Sequence, residues 1–119
     1  MSPIDEHMPM KPADYLTLVA LTDSERHGYG LVKQIEELSD GTLRLVPGNF
    51  YSVLRRLMGD GLLEESERKA SADLENRRRR YYRITELGRQ VATAETARLK
   101  ALVKVAEQHD LASSTGRAR

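Results

Sequence analysis

The chain has no cysteine and no tryptophan, and its 119 residues include only one phenylalanine, four prolines and three histidines. Without cysteine there is neither a disulfide nor a thiolate zinc site. His7, His27 and His109 are scattered and offer no close ligand pair, so no metal and no cofactor is expected. No apolar run approaches the roughly 18 residues of a membrane span. The N-terminus, with Pro3, Asp5 and Glu6, lacks the basic and apolar regions of a signal peptide, and a cytoplasmic protein with no membrane partner is expected. A chain of this size buries only a modest share of its unfolded surface. With disulfides and metals set aside, association with a second copy is the expected source of added stability.

Catalytic patterns are also missing. Spacing singles out no Ser-His-Asp or Cys-His arrangement, no phosphate-cradling glycine loop and no carboxylate cluster on one face, so no enzyme is expected. What is present is charge: 31% of the residues are Asp, Glu, Lys or Arg, with a net of only +1. The balance hides an uneven distribution. Arg77, Arg78, Arg79 and Arg80 are consecutive, in a stretch from Arg44 to Ile84 that is richer in basic than in acidic residues.

Apolar spacing picks out helices. Tyr15, Leu18, Val19 and Leu21 recur at helical intervals in a short first helix, and Leu31, Ile35 and Leu38 share one face of a second, which stops at Ser39-Asp40-Gly41. Leu43 to Val46 is expected as a short strand. Pro47 and Gly48 then open a third helix with Phe50, Val53, Leu54 and Leu57 on its apolar side. Beyond Gly59 and Gly61 the period changes. Leu62-Leu63 and the alternating Arg79 to Ile84 read as a hairpin with a charged tip, and Thr85 caps a helix running to about Glu107. The expected layout is a flexible arm at 1–12, a winged helix-turn-helix domain at 13–84, a dimerisation helix at 85–108 and a flexible basic tail at 109–119. The fold class is mainly α with a small β-hairpin.

In a winged helix-turn-helix the third helix can enter the DNA major groove while the hairpin touches the flanking backbone. Opposite its apolar side, this third helix carries Asn49, Ser52, Arg55 and Arg56, with Tyr51 near the boundary. Arg can bond two guanine acceptors and Asn two adenine atoms, and the backbone N–H groups around Gly48 suit a phosphate. Taken singly, Arg55 and Arg56 also fit a solvated helix face, and Arg77 to Arg80 a charged strand edge that discourages aggregation. Their joint occurrence, about twenty residues apart, favours two cationic elements touching one duplex.

The strings HGYGL (27–31), GNFYSVLRRL (48–57), GLLEE (61–65) and RRYYRITELG (79–88) resemble the signature of the PadR-like transcriptional regulators. The resemblance runs from about Tyr15 to the end of the last helix. It implies a homodimeric winged-helix protein of the short subclass, with a single C-terminal dimerising helix, acting mostly as a repressor and often answering a small-molecule effector. By position, it implies that Tyr51 contacts the DNA backbone, that Arg56 stabilises or contacts DNA from the third helix, and that Arg77 to Arg80 belong to the wing. Three positions depart from the family pattern: Ser52 stands where proline is common, Asn49 where threonine or serine is, and Met58 where an acidic residue is. The first two fall on the DNA face and leave the operator sequence open.

The last helix is amphipathic. Ile84, Leu87, Val91, Leu99, Leu102, Val105 and Ala106 fall on one side, and a winged-helix body covers only the first half of such a stripe. Tyr15, Leu18, Leu87, Val91, Leu99, Leu102, Val105 and Ala106 are therefore the expected dimer contacts. Glu95 and Arg98 interrupt the stripe, and either reach outward to water along their stems or pair within or across the seam. The last helix has no aromatic residue and Tyr15 alone is well placed to stack, so no broad aromatic drug platform is expected, and the effector is either a different molecule or absent. His27 is expected to cap or pack at a helix start. The functional expectation is a sequence-specific regulator, a repressor that binds double-stranded DNA at an inverted repeat. The competing reading is a dimeric winged-helix module that binds protein and not DNA.

Overall fold

The computed structural model describes residues 3–66 and 80–111. Pro12 occupies the first turn of helix α1 (Pro12–Ala20), where its missing N–H costs nothing and its fixed φ favours the helix. The polar run from Thr22 ends it. A two-residue strand β1 (Arg26–His27) follows and leads directly into α2 (Gly28–Leu38). His27 caps this helix: its Nδ1 accepts the Gly30 N–H at 3.1 Å. Asp40 and Gly41, both at positive φ, turn the chain out of α2.

Val46 is extended, as a residue before proline prefers to be, and Pro47 opens α3 (Pro47–Gly59). Gly61, at φ +79°, reverses the chain, and the Leu62 N–H bonds back to the Leu57 carbonyl. Strands β2 (Leu63–Glu65) and β3 (Tyr81–Ile84) form the hairpin, and α4 (Glu86–Gln108) completes the described chain.

The described strands make a three-stranded antiparallel sheet in the order β1-β3-β2. Leu63 pairs with Ile84 and Glu65 with Tyr82 on one edge of β3, and Arg26 pairs with Tyr82 on the other. This corrects the expected strand at Leu43 to Val46. Both edges of β3 are occupied, so the 43–46 segment forms no strand, and the third strand lies between α1 and α2 instead.

One apolar core joins these elements. Leu18 from α1 and Leu21 just after it, Leu31 and Ile35 from α2, Phe50, Leu54 and Leu57 from α3, Leu62, Leu63 and Tyr82 from the hairpin, and Val91 from α4 are all buried. Residues 3–11, expected as an arm, include a 3-10 turn at Asp5–His7 and lay Ile4 and Met10 against that core. The Thr85 hydroxyl both accepts the Gly88 N–H and donates to the Gly61 carbonyl, which fixes the start of α4 to the turn before β2.

Candidate nucleic-acid interface

Helix α3 is held by its buried Phe50, Leu54 and Leu57, and this turns Gly48, Asn49, Tyr51, Ser52 and Arg55 to solvent. The start of α2, the exposed side of α3 and strand β3 enclose a cleft of about 550 Å³ lined by His27, Gly28, Tyr29, Tyr51, Arg55, Met58, Arg80 and Tyr82. The Tyr51 ring leans over Gly28: a methyl group added there would sit 2.9 Å from Tyr51 Cε1. His27 meets Tyr81 edge to face, with ring centroids 5.6 Å apart. An aromatic wall with arginines on either side suits contact with a duplex, at its phosphates or its base edges.

The two arginines of α3 differ. Arg55 lines the cleft and makes no ion pair among the described residues. Arg56 turns back to α1, where Nη1 and Nη2 donate to the two Asp14 carboxylate oxygens at 2.9 and 3.0 Å. These hydrogen bonds raise the Arg56 pKa against the opposing effect of burial. On the wing, Arg80 is highly exposed and 3.9 Å from Glu65, and Arg83 donates to Glu64 at 3.1 Å. Such exposed pairs are weak and open readily to an incoming phosphate. Burial pushes the Tyr82 phenol above its ordinary value.

The structure thus brings Tyr51, Arg55 and Arg80 around one cleft, with Gly48, Asn49 and Ser52 exposed on the same helix. It separates Arg56 from them. Arg77, Arg78 and Arg79 lie outside the described residues. Among the expected dimer contacts, Leu18 and Val91 are corrected: both have no exposure and belong to the chain's own core. Leu87 also packs against that core, and the half-buried Tyr15 gives its hydroxyl to Thr96 Oγ1 at 2.6 Å. Leu99 and Ala106 are half-buried, whereas Leu102 and Val105 are exposed. Glu95 and Arg98 pair within the chain: the buried Glu95 carboxylate accepts two hydrogen bonds from Arg98, at 2.6 and 2.7 Å.

Sequence reasoning passed over Gly28, Tyr29 and Tyr82 as cleft residues and Asp14 as the partner of Arg56. The first two sit in the HGYGL string next to the capping histidine, which was a usable signal. Asp14 is 42 residues from Arg56, and no local pattern joins them. Among the described residues no group of three or more His, Asp or Glu side chains is arranged to hold a metal ion, and no helix is long and apolar enough to cross a membrane.

This arrangement of helices, sheet and cleft defines a winged-helix DNA-binding fold. The family model described as "Transcriptional regulator PadR-like family" matches residues 17–94, and the chain belongs to that family. It is similar to Transcriptional regulator Rv3488 of Mycobacterium tuberculosis, with 38% identity over 82 residues, 69% of this chain and 70% of the relative. Among solved structures, it resembles a PadR family transcription regulator from Clostridium difficile R20291 (25% identity, TM-score 0.69, covering 83% of this chain and 98% of the other). It also resembles a PadR family transcriptional regulator from Eggerthella lenta (27% identity, TM-score 0.62, covering 80% and 78%). Membership makes the chain a transcriptional regulator and implies regulation through DNA.

Proposed function

We propose that the chain is a non-enzymatic repressor that binds an inverted-repeat operator as a homodimer, with α3 in the major groove and the wing on the flanking backbone. The observation that carries this reading is the shared cleft: Tyr51 and Arg55 from α3 and Arg80 from the wing face the same space, beside the exposed Asn49 and Ser52. Helix side chains that reach bases specify sequence, and wing cations at phosphates supply affinity that falls with salt.

Dimerisation is supported by the far end of α4. Leu102, Val103 and Val105 are 53%, 53% and 51% exposed within about one turn of α4, beyond the reach of the chain's own core. Apolar area of this kind gains roughly 25 cal/mol per Å² on burial, and a second α4 offers the matching surface. Two α3 helices related by a twofold axis then read half-sites about one helical turn, or a multiple, apart. An effector acting at that seam would meet aliphatic side chains, since α4 has no aromatic residue.

The test is fluorescence-anisotropy binding to the duplex upstream of the protein's own gene and to a shuffled duplex, at two salt concentrations. Preference for the native duplex that persists at the higher salt is the expected result. Equal, salt-sensitive binding to both removes sequence-specific recognition of that site. Binding to neither moves the weight to a protein-interaction module.

A further inference from the structure

Of the two consecutive arginines on α3, only Arg55 serves the cleft. Arg56 makes a bidentate bridge to Asp14, whose residue is 7% exposed. Asp14 and Asp60 both act on the Arg56 charge, and Glu6 lines the same hollow together with His7 and Lys11, so the carboxylates there outnumber the Lys and Arg cations. An excess of carboxylates opposes the approach of a phosphate. The bridge also supplies something the apolar contacts of α3 do not. Burial of Phe50, Leu54 and Leu57 is non-directional and sets how deeply the helix sits, whereas two parallel N–H···O bonds in a planar fork fix an orientation. A rotation of about 20° around the helix axis carries a side chain 5–6 Å from that axis through roughly 2 Å, enough to break a bidentate base contact.

We propose that Asp14 and Arg56 form a positioning pair for DNA recognition: the bridge from α1 sets the rotation of α3, and so aims Asn49, Ser52 and Arg55, while Arg56 itself makes no DNA contact. The proposal rests on the DNA-binding reading above and assigns a division of labour within it.

The experiment uses a duplex that the wild-type chain selects from a random pool, a shuffled duplex and a salt series, with Asp14→Asn, Arg56→Gln, Arg56→Lys, the double variant Asp14→Asn/Arg56→Gln, and thermal melts. The single variants should lose about tenfold in affinity for the selected duplex while affinity for the shuffled duplex and the salt slope stay unchanged. Arg56→Lys should fail as Arg56→Gln does, because lysine keeps the charge but not the fork, and the double variant should be no worse than the weaker single one. A salt slope reduced by about one phosphate in Arg56→Gln, rescue by Arg56→Lys, or an Asp14→Asn chain that binds like wild type overturns the proposal. Asp14→Glu covers the case in which Asp14→Asn does not fold. It keeps the buried charge paired and displaces the fork by one methylene, and it should lose selectivity while melting close to wild type; unchanged selectivity overturns the proposal equally. A wild-type chain that selects no duplex overturns the DNA-binding reading, and the positioning role with it.

Discussion

Two glycines show how the same added methyl group has opposite meanings in different surroundings. At Gly88, inside α4, a Cβ would collide with the Leu62 carbonyl oxygen, a backbone atom of the hairpin that has nowhere to go. Gly88→Ala should therefore destabilise the fold by about 1–3 kcal/mol, although alanine is the better helix former by about 1 kcal/mol. A chemical-denaturation midpoint equal to or above wild type would disprove this. At Gly28 the added methyl meets the outer end of the Tyr51 ring, which is 45% exposed and can swing aside. Gly28→Ala should melt close to wild type and lose DNA affinity, because the displaced ring leaves its place in the cleft; unchanged anisotropy would show that Tyr51 has no role there. A third residue adds a pH signature. The Arg98 hydrogen bonds hold the Glu95 carboxyl below its ordinary value, against the upward push of burial. A carboxyl depressed in the folded state stabilises the fold above its unfolded pKa, and that contribution is lost as pH falls through the native value. The melting-temperature gap between wild type and Glu95→Gln should be full at neutral pH and narrow below about pH 4. A gap that holds constant down to pH 3 would contradict the assignment.

At the scale of the element, the helices were legible because their apolar residues recur every three or four positions and their ends carry Pro47, Thr85 and Gly41 in positions that suit them, whereas Pro12, read as part of an arm, in fact opens α1. The hairpin was legible in part, through the alternation of Tyr82 and Ile84. Strand β1 was not. Two residues have no period, and Arg26 and His27 become a strand only because β3 offers them an edge. The Leu43 to Val46 stretch had the better strand composition and no edge to join. The reading face of α3 was visible in the sequence, but the split between Arg55 and Arg56 was not, since neighbours on a helix are only about 100° apart and the partner that decides between them lies on α1. Arg55→Ala should cost about 1–3 kcal/mol of discrimination at one base pair, and a binding-site selection should show relaxed preference there. A loss uniform over all sequences would make Arg55 a backbone contact.

For the whole molecule, the sequence reading assigned the first half of the α4 apolar stripe to the winged-helix body, yet still placed Leu87 and Val91 in the dimer seam. The structure divides the stripe. Val91 is spent on the chain's own core, while Leu102 and Val105 remain in solvent. Periodicity marks a face but not what covers it, and Leu18 was misassigned for the same reason. If the proposed dimer forms through α4, Leu102→Lys and Val105→Lys should each weaken it at least about 100-fold, because a twofold axis counts every substitution twice, yet leave the melting of the protomer nearly unchanged. Sedimentation velocity at micromolar concentration separates the outcomes, and variants that sediment as wild type would move the seam elsewhere.

The Thr85 hydroxyl, bonded to Gly88 on one side and to Gly61 on the other, has a consequence for operator architecture. It joins the root of the wing to the root of α4, so in the proposed dimer a change in the crossing angle of two α4 helices would carry each wing with it. On that reading, half-site spelling and half-site spacing would be separately heritable traits. Substitutions on α3 should alter which bases are preferred, and substitutions at Leu99 or Ala106 should alter how many base pairs separate the two halves.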